Sequence, residues 1–280
     1  MTEPTDTATT FRSLHVPGDP FILPCAWDVA GARLFAEAGH RAVGTTSLGV
    51  AAGIGAADED RATLAGSVNL AAALRTALPN HPLTCDFEDG YGDGPEFVVE
   101  IVRENFAIAD GTGGLLVDGI NIQDSRQGRM SEPGVLSAKV TAIKEAFPAL
   151  FVNARIDTFW IGQDNLGEVL ARIDAYVDAG ADGIFVPGSL DLATIETITS
   201  RRRVPVNVLA SPRYSKSDLA EAGWPGSAPD RCSIARRCRG ALSTLQVLAD
   251  DRPAQAENVL PYRAFTELDR VSVRSRPGGR

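Results

Sequence analysis

The amino-acid sequence predicts an α/β fold, a (β/α)8 barrel of the TIM type, and two observations lead there. Short β-branched or apolar runs alternate with amphipathic segments about eight times within 280 residues. One closed parallel sheet wrapped by helices is what such alternation builds. The runner-up, a doubly wound open sheet, loses its dinucleotide-binding form, because no G-x-G-x-x-G opens a helix after the first strand.

Residues 21–25 form the first apolar run, and 28–38 the first amphipathic helix, with Asp28 as cap and Gly39 as terminator. Strands follow at 42–46 and 83–86, separated by a helix at 64–78. A helix at 97–109 leads to an Ile-rich strand at 115–123, and a helix at 136–147 to a strand at 151–157. The helix at 166–179 takes Asp164 as cap and Gly180 as stop. Strands at 183–187 and 206–210 flank a helix at 192–200, and the eighth and faintest strand falls at 231–235. Residues 1–19, rich in threonine, read as a loosely held arm ahead of a barrel domain at 20–250. Residues 251–280 read as one extra C-terminal helix, running to Leu268, and a basic tail carrying Arg270, Arg274, Arg276 and Arg280.

With 44% hydrophobic residues, the chain can bury roughly three quarters of its unfolded surface in one large domain. A formal net charge of −9 argues against a nucleic-acid partner. Small anionic substrates stay compatible, since a pocket's local field need not follow the net charge. No run approaches the roughly 20 apolar residues that span a bilayer. The first residues lack the basic and apolar segments of a signal peptide, so no membrane partner and a cytoplasmic location are expected. Cys25, Cys85, Cys232 and Cys238 have no metal-type spacing; Cys25 and Cys85 end apolar runs and read as reduced core residues. The three histidines, His15, His40 and His81, each sit at the wrong end of their unit for a Ser-His-Asp triad.

The most informative segment is Cys85-Asp86-Phe87-Glu88-Asp89-Gly90-Tyr91-Gly92. If it continues a strand, Thr84, Asp86 and Glu88 point to one side. Two carboxylates there make a hard-oxygen site suited to Mg²⁺; an acidic, solvated loop is the alternative. Polar groups also close other strands: Asn121, Gln123 and Asp124 on the fourth, Asn153, Arg155 and Asp157 on one face of the fifth, Asn207 on the seventh. A merely structural barrel would bring apolar filling to those positions, so the gathering points to an enzyme. Arg155 is costly to bury in an apolar strand unless paired. It either forms an ion pair with Asp157 or Asp86, or grips a substrate carboxylate through two hydrogen bonds. Thr45, Thr46 and Ser47 end the second strand, where hydroxyls and backbone N–H groups suit carboxylate or phosphonate oxygens. Asp58, in the loop beyond, reads on its own as a surface aspartate.

Six stretches, in this order and spacing, resemble the isocitrate lyase and phosphoenolpyruvate mutase superfamily over nearly the whole chain. They are Cys25-Ala26-Trp27-Asp28, the Gly44–Ala51 run beginning Gly44-Thr45-Thr46-Ser47, Asp86-Phe87-Glu88-Asp89-Gly90-Tyr91-Gly92, Gly119-Ile120-Asn121-Ile122-Gln123-Asp124-Ser125, Asn153-Ala154-Arg155, and the Gly180–Pro187 run. The chain looks most similar to short bacterial members described as carboxyphosphonoenolpyruvate-mutase-like or methylisocitrate-lyase-like.

The resemblance implies a Mg²⁺ site, with Mn²⁺ as a substitute. Asp86, Glu88 and Gln123 are its metal candidates, Asp86 binding directly, Glu88 and also Asp58 through water. It implies Arg155, Asp58 and Gln123 as catalytic residues, and Thr46, Ser47, Leu48, Asp86, Arg155 and Asn207 as substrate-binding ones. The implied chemistry makes or breaks a C–C or C–P bond beside a 2-oxo acid through a metal-stabilised enolate. A homo-oligomer, tetramer or dimer, is implied too, with the last helix exchanged between subunits. Two departures stand out. Gln123 replaces the family's usual glutamate, and the loop Ser125-Arg126-Gln127-Gly128-Arg129-Met130 lacks the cysteine that isocitrate and methylisocitrate lyases use as proton donor.

The expected activity is therefore Mg²⁺-dependent lyase chemistry, decarboxylation included, on a small 2-oxo or 2-hydroxy carboxylate. C–P chemistry on a phosphonate, as a phosphonopyruvate hydrolase or phosphonomutase, is one alternative. A barrel that binds an acid without turnover is the other.

Overall fold

In the computed structural model, residues 7–16, 19–108, 114–200, 204–209, 213–222 and 227–229 are described. The chain opens with α1 (Thr7–Ser13), β1 (Phe21–Leu23) and β2 (Cys25–Ala26), then α2 (Val29–Glu37), β3 (Val43–Thr45), α3 (Ser47–Ile54) and α4 (Leu64–Ala77). There follow β4 (Leu83–Asp86), α5 (Pro95–Asn105), β5 (Gly119–Gln123), a small hairpin of β6 (Ser125–Arg126) and β7 (Arg129–Met130), and α6 (Pro133–Ala146). The last third holds β8 (Phe151–Arg155), α7 (Leu166–Asp178), β9 (Gly183–Val186), α8 (Leu192–Ser200), β10 (Val206–Val208), α9 (Lys216–Glu221) and β11 (Ser227–Pro229).

Spatial order follows chain order. Strands β2, β3, β4, β5, β8, β9 and β10 pair side by side, all parallel. A doubly wound sheet reverses direction at a switch point; this one does not. β1, separated from β2 by Pro24, pairs in parallel with β11, Phe21 opposite Ser227, which brings the two ends of the curl together. Counting β1 and β2 as one interrupted strand, the fold is the expected (β/α)8 barrel. Its closing strand among the described residues is Ser227–Pro229; the expected strand at 231–235, Cys232, Cys238 and the expected C-terminal helix lie outside the described residues.

The main core lies between sheet and helices. Ile120, Ile122, Val152, Ile184 and Val186 from the strands meet Leu74, Val102, Val140, Ile143 and Tyr176 from the helices. Asp28 caps α2 by accepting from Gly31 N at 2.7 Å. Gly39 and Gly180, just past α2 and α7, adopt φ of 90° and 101°, the left-handed stops expected of them. Asp164 is not the cap of α7: Asn165 is, accepting from Glu168 N at 3.1 Å.

Residues 7–16 of the expected arm are packed, not loose. α1 lies under the N-terminal rim of the barrel, where Phe11 is buried with Leu14, Phe21, Leu23 and Phe151. His15 stacks on Phe151, ring centroids 4.5 Å apart. Thr7 and Arg12 reach Asp118 and Asp182, each at 2.5 Å, just ahead of β5 and β9. Among the described residues, no helix is long and apolar enough to cross a membrane.

Candidate active site

Thr46, Ser47, Leu48, Asp58, Asp86, Arg155 and Asn207 line one pocket at the C-terminal ends of the strands. At its centre is Asp86, the last residue of β4. Its backbone N–H donates to Thr45 Oγ1 at 2.9 Å, which fixes the strand end. Its Oδ2 accepts from Ser47 N at 3.0 Å and from Ser47 Oγ at 2.9 Å. Ser47 is the first residue of α3, so a carboxylate meets the positive end of a helix. The backbone N–H expected to face a substrate is thus taken by Asp86.

Ser47 Oγ also lies 2.9 Å from Asp58 Oδ1. A hydroxyl carries one proton and serves one carboxylate at a time. Asp58 is therefore no stray surface residue but stands in the pocket beside Asp86. Asp86 Oδ1 is buried and takes no partner among the described residues. Burial pushes the Asp86 carboxyl above the usual carboxylate range; Arg155 and Ser47 pull it back and Asp58 adds to the rise.

These features fit a hard divalent cation. A buried carboxylate oxygen without a partner, a second carboxylate close by, and a raised proton affinity all mark a place short of positive charge. Mg²⁺ is commonly held by one or two carboxylates and keeps several waters, and here Asp86 and Asp58 would hold it. Among the described residues, no three His, Cys, Asp or Glu side chains form a closed cage.

Glu88 and Gln123, also expected at the metal, are not among the pocket-lining residues. Alternation ends with β4 at Asp86, and Glu88 has φ of 44°, which turns its side chain off the strand face. There Thr63 Oγ1 donates to Glu88 Oε1, and Arg61 N donates to Oε2 at 2.9 Å. Gln123 spends its Nε2 on Ser125 O at 3.0 Å.

Arg155 makes the expected ion pair with Asp157 and keeps the far side of its fork open. Its Nε donates to Asp157 Oδ1 at 2.6 Å, while its two terminal nitrogens take no hydrogen bond among the described residues. Burial works against its charge, but Asp157, Asp86 and Asp58 together outweigh burial and raise its pKa. Trp160 and Phe185 flank the guanidinium, 5.7 and 5.8 Å from its carbon. Trp160 was not foreseen; it sits in a turn after β8 with no pattern to mark it. Asn207 donates to Asn153 Oδ1 at 2.7 Å.

Arg155 and the open Asp86 oxygen thus face one pocket, a layout for gripping an anion and countering charge that grows on it. Comparison with known proteins agrees in kind. Residues 11–225 match the model of the phosphoenolpyruvate phosphomutase family. An uncharacterized protein of Mycobacterium tuberculosis (strain CDC 1551 / Oshkosh) is 42% identical over 219 residues, 76% of this chain and 79% of the relative. The 2-methylisocitrate lyase of Bacillus subtilis (strain 168) is 29% identical over 233 residues, 78% and 73% of the two chains. The crystal structure of a Burkholderia cenocepacia J2315 protein superposes with a TM-score of 0.78 at 31% identity, covering 86% of this chain and 100% of that one. The chain belongs to the phosphoenolpyruvate phosphomutase family.

Proposed function

We propose that the protein is a Mg²⁺-dependent lyase that cleaves, or forms, a C–C bond beside a small 2-oxo or 2-hydroxy carboxylate, decarboxylation included. One observation carries the reading: the unpartnered Asp86 Oδ1 and the unpartnered terminal nitrogens of Arg155 share one pocket. The guanidinium fork takes the substrate carboxylate in two charge-assisted hydrogen bonds. Its plane is already set by Asp157, so little orientation is lost on binding. A bound Mg²⁺ would supply positive charge opposite the oxygen on which an enolate's charge develops. Ser47 holds Asp86 in place from the start of α3, and Leu48, Trp160 and Phe185 line the walls. The test is a panel of 2-oxo, 2-hydroxy and phosphonate acids with Mg²⁺, followed for pyruvate or glyoxylate. Turnover that Asp86→Ala leaves intact would end the assignment.

C–P chemistry is the second reading, and the β6–β7 hairpin favours it. From Ser125 to Met130 it carries neither cysteine nor histidine to deliver a proton, and C–P transfer does not need that donor. Phosphorus NMR of phosphonopyruvate with the protein and Mg²⁺ separates the two. A non-catalytic, acid-binding barrel draws on Gln123, whose amide is spent on Ser125; calorimetric binding that ignores Mg²⁺ would support it. We further propose a cytoplasmic homo-oligomer, tetramer or dimer, with residues 253–268 as the exchanged helix; a monomeric mass in light scattering would remove that assembly.

A further inference from the structure

Asn207, Asn153 and Asn121, from β10, β8 and β5, form a directed row along the pocket wall. Asn207 Nδ2 donates to Asn153 Oδ1 at 2.7 Å, and Asn153 Nδ2 donates to Asn121 Oδ1 at 3.0 Å. Between β8 and β10, β9 sets Gly183 opposite Asn153. A Cβ at Gly183 would lie 2.9 Å from Asn153 Oδ1, the atom that receives Asn207, so the glycine keeps the row open.

A chain of carboxamides has a polarity. Each oxygen is used by the residue behind it, and the last residue keeps its NH2. At Asn121 that Nδ2 takes no partner among the described residues. Asn121 is also the cross-strand partner of Asp86. A neutral donor, anchored from behind, therefore stands beside the proposed cation site and in the pocket of Arg155.

Arg155 and a cation at Asp86 account for one carboxylate and the oxygen next to it. A neutral NH2 adds no charge but donates to an acceptor oxygen, and here it is held ready in the pocket wall. We propose that Asn121 is a specificity-determining residue, donating to an oxygen on the part of the substrate beyond its 2-oxo or 2-hydroxy carboxylate, and so selecting acids with a second carboxylate. The inference rests on the reading of Asp86 and Arg155 given above.

Calorimetry in Mg²⁺ with two probes tests it: L-malate, which carries a distal carboxylate, and pyruvate, which does not. The unaltered protein binds both. Asn121→Ala weakens L-malate about tenfold and pyruvate less than twofold, the loss of one well-formed hydrogen bond. Asn153→Ala, which leaves Asn121 present but unanchored, gives the same selective loss in smaller measure, and serves if Asn121→Ala does not fold. Equal weakening of both probes, or no change in either, overturns the role of Asn121. Failure of the unaltered protein to bind pyruvate overturns the Arg155 and Asp86 reading instead, and this proposal with it.

Discussion

Arg155 Nε donates to Asp157 Oδ1 at 2.6 Å, and the other oxygen of Asp157 accepts the Ser125 hydroxyl at 2.5 Å. The chain of contacts continues inward. Asp157 N donates to Asp124 Oδ1 at 2.9 Å, and Asp124 Oδ2 accepts from Tyr176 Oη at 2.8 Å and Arg172 Nη1 at 3.1 Å. Arg155 is thus backed by a fully satisfied buried network, the condition under which such networks hold a geometry rather than weaken it.

Asp157→Asn strips a buried cation of its charged partner. Breaking one half of a buried pair typically costs about 3–5 kcal/mol, so a loss near 3 kcal/mol is expected in urea unfolding. Ser125→Ala removes one hydrogen bond and is expected to cost about 1 kcal/mol. Equally small losses in both would show that the pairing is not what seats Arg155.

Asp86→Asn is expected to stabilise the metal-free protein. Burial penalises the Asp86 carboxylate, and a neutral isostere relieves that penalty. A gain of roughly 0.5–2 kcal/mol suits a strained functional site made inert. The same variant should lose the rise in Tm that Mg²⁺ gives the unaltered protein. Thermal melts with and without Mg²⁺ read both, and a surviving Mg²⁺ effect would move the cation elsewhere.

His15 predicts a pH dependence. Burial beneath the barrel lowers its pKa to about 4, against 6.5 in the unfolded chain. Between those values the unfolded chain binds more protons, so this contribution is complete above pH 6.5 and is lost as pH falls towards 4. The full effect is at most about 3 kcal/mol. Asp124, raised to about 6 mainly by burial, slopes the other way, its penalty growing as pH climbs from about 4 to 6. The measurement is therefore the difference between the unaltered protein and His15→Phe: the unaltered protein should lose stability relative to the variant as pH falls from 6.5 towards 4.

Gly183→Ala is expected to cost about 1–3 kcal/mol, as overpacking does. The added methyl meets the Phe151 ring at 3.0 Å as well as Asn153. A urea midpoint unchanged from that of the unaltered protein would show that the strand has room the geometry denies.

Within regular strands the sequence was legible. Asp86, Arg155 and Asn207 all reach the pocket, because side-chain alternation holds along β4, β8 and β10. It failed where strands stop. Glu88 and Asp157 were placed by continuing the alternation, but β4 ends at Asp86 and β8 at Arg155. α3 went unread because Ser47–Ile54 has no polar face and holds Gly49 and Gly53. β11 went unread because Ser227, Ala228 and Pro229 carry no strand-like apolar pattern; its pairing with β1 is a backbone matter. Asp58 beside Ser47 is a loop contact that spacing does not encode. The family resemblance supplied that neighbour, and the family match bears the resemblance out.

The pairing of Phe21 with Ser227 has a kinetic consequence. The two segments stand about 200 positions apart, so this contact can form only after nearly every other unit is in place. Until then both rows of backbone amides stay open to strangers, and a nascent chain stalled short of residue 227 would leave that of β1 as an adhesive edge.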